Sequence, residues 1–136
     1  MMTSEERKLL LQDLSARLPY GVVIDASKHP ALGNSDIKMG RLSTISYKNE
    51  QLVYVSTEGD LYLCIDYVRP YLRPMSSMTE EEKKSEPGVT SLDGFMFPDE
   101  ASNYIDWLNA HQFDYRGLIE AGLAIKVTEE NNPYKK

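Results

Sequence analysis

The chain has little cysteine, since Cys64 is the only one among its 136 residues. A lone cysteine excludes an internal disulfide, and thiolate metal sites ordinarily use several cysteines at short spacing. Cys64 lies in a segment of alternating apolar residues, which favours a small residue of a sheet or core over a nucleophile. We therefore expect no cysteine-based chemistry, no bound metal and no cofactor.

Long apolar runs are also missing. The longest is Leu61 to Ile65, far short of the roughly 20 residues that a membrane-spanning helix needs. The first residues, MMTSEERK, are charged and lack the apolar stretch of a secretory signal. With 41% apolar and 26% charged residues, the composition is typical of a soluble globular protein. We expect a cytoplasmic protein without a membrane partner.

Catalytic motifs with a recognisable spacing are lacking as well. The glycine patterns that bind phosphate, the GxSxG elbow, CxxC and HExxH do not occur, and His29 and His111 are far apart in the chain. A nucleotide-dependent or serine-hydrolase mechanism is therefore disfavoured, and we assign no catalytic and no metal-ligating residue. A catalytic triad built from dispersed residues is not excluded by pattern alone.

Positive charge is scarce in the second half of the chain. Residues 1–78 carry nine Lys/Arg and nine Asp/Glu, whereas residues 79–120 carry three and ten. Phosphate backbones bind clusters of Lys and Arg, so this distribution disfavours nucleic acid as a partner. The alternative that stays open is weak nucleic-acid binding through a local patch of Lys38, Arg41, Arg69 and Arg73.

The organisation of the chain predicts an α+β fold. A capping box at Thr3 and Glu6, followed by leucines at helical spacing, predicts an N-terminal helix from Ser4 to Arg17. β-Branched and alternating segments then predict four or five short antiparallel strands, with closure into a small SH3-like barrel as one arrangement left open. These strands are expected at Tyr20–Ala26, Arg41–Tyr47, Gln51–Thr57, Asp60–Asp66 and, at an edge, Ala124–Thr128.

The rest of the chain predicts a C-terminal helical segment. Thr79 and Glu82 form a second capping box, residues from Asp99 to His111 show an amphipathic period, and Asp114 is placed to cap a short helix from Tyr115 to Ala121. We expect loops at Ser27–Gly40 and Val89–Phe97. We predict one domain over residues 1–128, β-rich at 18–75 and helical at 76–123, followed by a flexible tail at 129–136.

Three motifs carry a resemblance to other proteins. They are LPYGV at Leu18–Val22, YLRPMSSMTEEE at Tyr71–Glu82, and DWLNAHQFDYRGLIEAGLAI at Asp106–Ile125. In these motifs the chain resembles a group of short hypothetical proteins of Bacteroides-type bacteria and their prophages, which have no assigned activity. The resemblance implies a prophage or mobile-element setting and a bacterial cytosol.

The segment DYVRPYLRP, between the β-rich and helical parts, is the candidate contact surface. Pro70 and Pro74 bias Arg69 and Arg73 toward extended geometry, so the neighbouring side chains have little conformational freedom left to lose on binding. Tyrosine and arginine are enriched at binding hot spots. We predict a non-catalytic protein-interaction module of prophage or mobile-element origin that binds a protein partner. The contact residues are Tyr67, Arg69, Tyr71 and Arg73.

An enzyme is the second hypothesis, with His111 at its centre. His111 lies close in sequence to Asp106 and Asp114, and a carboxylate could orient it as a general base in a small cofactor-free hydrolase. The structural alternative is that a histidine in the last helical turn complements the helix dipole and packs beside Phe113. A cleft that brings His111 to a carboxylate and to a hydroxyl or Cys64 would favour the enzyme.

Overall fold

The structure, a computed structural model, describes residues 2–26, 39–49, 52–58, 62–87 and 98–134. Within these ranges the chain forms three α-helices and seven β-strands, so the predicted α+β class is confirmed. One core cluster of buried side chains includes Leu14 from the first helix, Val55 and Leu72 from the sheet, and Leu118 from the C-terminal part. The β-rich and helical parts of the chain therefore share one core.

The first helix, α1, spans Ser4–Arg17 as predicted. The hydroxyl of Thr3 accepts a hydrogen bond from the backbone N–H of Glu6 at 3.1 Å, and the Glu6 carboxylate accepts one from the N–H of Thr3 at 2.9 Å. These two bonds complete the capping box. Leu10 and Leu14 are fully buried against the sheet residues of the core. A 3₁₀ turn at Leu18–Tyr20 follows and ends at Gly21, whose φ is 69°.

Seven described strands form the sheet, in the order β4-β3-β2-β1-β5-β6, with β7 also paired to β5. Strands β1 to β5 pair antiparallel along this path. Their bounds are β1 Val23–Asp25, β2 Met39–Asn49, β3 Leu52–Thr57, β4 Tyr62–Cys64, β5 Arg69–Pro74, β6 Phe113–Asp114 and β7 Ile125–Lys126. The predicted segments thus contain β1, β3 and β4, whereas β2 extends two residues beyond each end of the predicted Arg41–Tyr47 and begins inside the predicted loop Ser27–Gly40.

The barrel closure that the sequence left open does not occur, because the described strands form an open sheet. Strand β5 lies between β1 and the two short strands β6 and β7, which both pair with it in parallel. A parallel pair needs a long crossover connection, and the chain between β5 and β6 contains two helices. The Arg-Pro segment, predicted to have extended geometry between the β-rich and helical parts, thus forms a strand with partners on both sides.

The second and third helices confirm the helical segment. Helix α2 spans Glu80–Ser85 behind the predicted Thr79 capping box, and α3 spans Pro98–Ala110. No helix among the residues that the structure describes is long and apolar enough to cross a membrane.

The helix predicted at Tyr115–Ala121 does not form. Both carboxylate oxygens of Asp114 accept backbone N–H groups, from Leu118 and Ile119, each at 2.9 Å. The predicted cap is therefore present, but it closes a series of turns. Gly117 has a φ of 76°, in the left-handed region that interrupts a helix.

A tyrosine of the C-terminal segment is bound to the sheet. The hydroxyl of Tyr134 accepts the backbone N–H of Val23 at 3.0 Å and donates to the carbonyl of Tyr71 at 2.7 Å. Burial raises the pKa of this phenol well above its ordinary range, so the hydroxyl keeps the proton that it donates. The prediction of a flexible tail at 129–136 did not include this anchor. Most of the loop predicted at Ser27–Gly40 and all of that at Val89–Phe97 lie outside the described residues.

Candidate functional site

Alternation along β5 divides its side chains between two faces. Pro70 and Leu72 are buried, whereas Arg69, Tyr71 and Arg73 are half-buried. Successive side chains of a strand point to opposite faces, so these last three form one row on the outer side of β5. Tyr67 precedes this row in a 3₁₀ turn and is also half-buried. The structure thus places all four predicted contact residues at or near the surface.

Arg73, at the end of this row, is held by internal contacts. Its Nη1 and Nη2 donate to the two carboxylate oxygens of Glu82 at 2.6 Å each, and Nη2 also donates to the carbonyl of Ser77 at 3.2 Å. The guanidinium lies over the ring of Phe113 at 4.3 Å from the ring centre. Bonding to Arg73 lowers the pKa of Glu82 to about 2. Arg73 therefore joins β5 to α2 and β6, and we remove it from the predicted contact set.

Arg69, at the beginning of the row, is held more loosely. The closest approach of its guanidinium to a carboxylate is 3.9 Å, from Nη2 to Oδ2 of Asp25, and 28% of its side chain is exposed. Partly exposed pairs at this separation contribute little to stability. The guanidinium of Arg69 is therefore available to a partner at small cost.

Tyr71, the next residue of the row, is partly screened from water. Desolvation by burial raises the pKa of its hydroxyl.

A cleft of about 390 Å³ opens beside the beginning of β5. Tyr67 and Arg69 line one part of it, and Glu6 and Leu123 line another. Asp66 also lines this cleft, but its carboxylate accepts two hydrogen bonds from Arg7, at 2.7 and 2.9 Å. This ion pair joins α1 to the turn that carries Tyr67. The Arg7–Asp66 ion pair thus holds one side of the cleft in place, and Tyr67 and Arg69 belong to its lining.

A larger cleft of about 740 Å³ opens at the other end of β5. Its lining includes Tyr20, Arg41, Arg73, His111, Gln112 and Tyr134. We call it the Arg41 cleft. It is formed by segments distant in sequence, namely the turn after α1, strand β2, the end of α3 and the C-terminal segment.

His111 lines this cleft, and its imidazole contacts α3, the helix that precedes it. Its Nδ1 is 2.9 Å from the carbonyl oxygen of Trp107, and the two rings are tilted by 34° with their centres 4.3 Å apart. Within the described residues, the imidazole makes no hydrogen bond to a carboxylate or hydroxyl, and Cys64 is not among the cleft residues. The His111 geometry therefore matches the structural alternative, a histidine packed against the aromatic side chains of α3 and β6.

A buried cluster of charged side chains was not predicted from the sequence. Asp13 is fully buried and accepts hydrogen bonds from Nε of Arg17 at 2.9 Å and from Nη1 of Arg116 at 2.8 Å. Arg17, also fully buried, donates from Nη2 to the carbonyl of Phe113 at 2.5 Å. The spacing of Asp13 and Arg17 on the apolar face of α1 was the available signal. The cluster fixes β6, and with it the ring on which Arg73 lies.

The basic patch considered for nucleic acid is partly neutralised. Arg73 is paired with Glu82, Arg69 lies 3.9 Å from a carboxylate oxygen of Asp25, and Lys38 lies outside the described residues. Arg41 lies in the larger cleft. The described residues also contain no group of three or more His, Cys, Asp or Glu placed to hold a metal ion.

Comparisons of the chain with protein-family models, with curated proteins and with solved structures find no match.

Proposed function

We propose that the chain is a non-catalytic protein-interaction module that binds another protein through Tyr67, Arg69 and Tyr71, here called the β5 surface. One observation carries the proposal. The alternation of β5 leaves Arg69 and Tyr71 partly exposed on a strand that is paired on both sides. In the prophage or mobile-element setting that the resemblance implies, the partner is another protein of the bacterial cytosol.

The rigidity of β5 supports binding at this surface. Pro70 restricts its own φ and the backbone of Arg69, and Asp25 and Ile125 pair with the strand on its two sides. Ordering a mobile segment reduces affinity, so a strand already fixed by its neighbours binds at a lower entropic cost. Tyrosine and arginine offer large contact areas and several donors. The small cleft beside Tyr67 gives the surface a concave part that a partner side chain can fill.

Comparative pull-down from a lysate of the bacterium that carries the gene tests this function. The double variant Tyr67→Ala/Arg69→Ala should lose a partner that the unmodified chain retains. Tyr20→Ala/Arg41→Ala is the matched control, because it removes the same two residue types from the larger cleft. We expect this control to retain the partner. Circular dichroism melting verifies that both variants are folded.

A folded Tyr67→Ala/Arg69→Ala variant that recovers the same proteins in the same amounts would refute the proposed surface. Loss of the partner from the Tyr20→Ala/Arg41→Ala control, with retention by the β5 variant, would place the contact at the other end of the strand and would refute it equally.

A further inference from the structure

The Arg41 cleft has the features of a small-molecule site, and the inference from it is independent of the proposed protein contact. Its volume of about 740 Å³ lies in the range of pockets that hold small organic ligands. Tyr20 is 38% exposed and supplies an aromatic surface. Val127, from the segment after β7, supplies an aliphatic one. The cleft therefore offers contact area to an apolar body.

Arg41 supplies the available positive charge of the cleft. Within the described residues its guanidinium makes no hydrogen bond and no ion pair, whereas Arg73 in the same cleft is neutralised by Glu82. The side chain of Arg41 lies against Gly21, where an added Cβ would stand 3.1 Å from its Cδ. Gly21 also has a φ of 69°, which favours glycine. Gly21, in the turn after α1, thus leaves space for the side chain of Arg41. Among the described residues, the guanidinium of Arg41 has no hydrogen-bond or ion-pair partner.

Gln112 carries two unfavourable features in the same cleft. It is the one described non-glycine residue with a positive φ, at 61°, and its side chain is 96% buried. Its Nε2 donates to the carbonyl of Tyr20 at 3.1 Å, but its Oε1 has no hydrogen-bond partner among the described residues. Strained backbone clusters at functional sites, and an unsatisfied buried acceptor is rare enough to need an explanation. An N–H or O–H group of a ligand would satisfy this oxygen.

We propose that the Arg41 cleft binds a small organic carboxylate that also carries a hydrogen-bond donor. The guanidinium of Arg41 binds the carboxylate through charge-assisted hydrogen bonds, and Oε1 of Gln112 accepts the donor. Because Oε1 is covered in the unbound chain, the donor reaches it only after neighbouring side chains move. The Gln112 contact is therefore the weaker of the two.

The charges of the cleft favour a carboxylate over a phosphate monoester. Besides Arg41, the lining of the cleft contains one exposed carboxylate, that of Glu129, which carries the opposite charge. A singly charged carboxylate binds Arg41 with less repulsion from Glu129 than a doubly charged phosphate does.

Three related probes test the proposal by titration of the full chain, observed in ¹H–¹⁵N NMR spectra. These are 3-phenylpropionate, 3-phenyllactate, which adds a hydroxyl donor, and 2-phenylethanol, which lacks the carboxylate. We expect saturable shifts at Arg41 and Gln112 with both acids, with a Kd in the millimolar range and about threefold to tenfold tighter for 3-phenyllactate. We expect none with 2-phenylethanol. Phenyl phosphate should bind more weakly than 3-phenylpropionate.

Variants assign each contact. Arg41→Gln should abolish binding of both acids, whereas Lys84→Gln, which removes one exposed charge outside the cleft, should leave it unchanged. Gln112→Met should equalise the two acids without abolishing binding. Melting curves show whether each variant is folded, and Gln112→Glu serves as the second variant at that position if methionine prevents folding. Its negative charge should weaken binding of both acids.

Three results would overturn the proposal. The first is the absence of saturable shifts in the cleft with either acid up to its solubility limit. The second is binding that Arg41→Gln leaves unchanged. The third is a preference for 3-phenyllactate that is missing in the unmodified chain or persists in Gln112→Met.

Discussion

The two ends of β5 carry the same Arg-Pro dipeptide, but the residues that surround the two dipeptides differ. Arg69-Pro70 and Arg73-Pro74 have the same local chemistry, and both arginines lie on the outer side of the strand. The guanidinium of Arg69 is 3.9 Å from its carboxylate, whereas that of Arg73 makes two bonds of 2.6 Å. The first remains available to a partner, and the second joins α2 and β6 to the sheet.

This difference shows that tertiary neighbours decide the role of each arginine. Glu82 is placed by the capping box of α2, and Phe113 is placed by the buried cluster of Asp13 and Arg17. Among the described residues, the guanidinium of Arg69 approaches Asp25 at 3.9 Å and makes no such pair of short hydrogen bonds. The following predictions test the contrast between the two ends.

The largest expected effect comes from removing the cation beneath β6. Arg17→Met should lower the free energy of unfolding by about 3 to 5 kcal/mol, because it leaves Asp13 buried with a single partner and the Phe113 carbonyl without its donor. Urea unfolding followed by fluorescence measures the change. A loss below about 1 kcal/mol would show that the cluster does not support this end of the strand.

A paired substitution compares the two arginines directly. Arg73→Gln should lower the free energy of unfolding by about 2 kcal/mol, because two charge-assisted hydrogen bonds and a ring contact are lost. Arg69→Gln should change it by less than about 0.5 kcal/mol. Urea unfolding of both variants gives the two values, and similar losses from both would remove the distinction between the two ends.

The midpoint of β5 depends on a side chain from the C-terminal segment. Strands β1 and β5 are in register at Ile24 and Pro70, so Val23 lies opposite Tyr71, where the hydroxyl of Tyr134 bridges the two backbones. Tyr134→Phe should lower the free energy of unfolding by about 1 kcal/mol and increase hydrogen exchange at the Val23 amide. Tyr20→Phe, at a half-exposed ring, is the control and should change neither. Unaltered exchange at Val23 in Tyr134→Phe would contradict the bridging role.

Acid should weaken the Arg73 end selectively. The pKa of Glu82 falls from 4.5 to about 2 in the folded chain, chiefly because its carboxylate accepts hydrogen bonds from Arg73. A lowered pKa stabilises the fold above the unfolded value, and this contribution is lost as the pH falls through the folded value. The difference in melting temperature between the unmodified chain and Glu82→Gln should therefore shrink from pH 5 toward about pH 2. A difference that stays constant over this range would contradict the ion pair.

The local elements of this fold could be predicted because their signals lie within a few residues. The capping boxes at Thr3 and Thr79 mark the starts of two helices, and β-branched and alternating segments mark the antiparallel strands. The central position of β5 could not be read in the same way, because its parallel partners Phe113 and Ile125 lie far along the chain. Their pairing depends on how α2 and α3 pack.

The candidate site was only partly predictable for the same reason. The tyrosines and arginines were selected by residue type and by proline, and all four lie at the outer side of the sheet or close to it. The sequence did not distinguish Arg69 from Arg73, because the distinction depends on Phe113 and Glu82. Arg41 and Gln112 acquire their roles only where distant segments meet at one cleft.

The most direct test of this account is the chemical accessibility of the two arginines in the folded chain. Labelling with phenylglyoxal, followed by mass spectrometry of the peptides, reports the modification rate of each guanidinium. We expect Arg69 to react several times faster than Arg73 in the unmodified chain, and Arg73 to become reactive in Glu82→Gln. Equal rates in the unmodified chain, or faster modification of Arg73, would contradict the claim that one end of β5 is available for binding while the other is held by the fold.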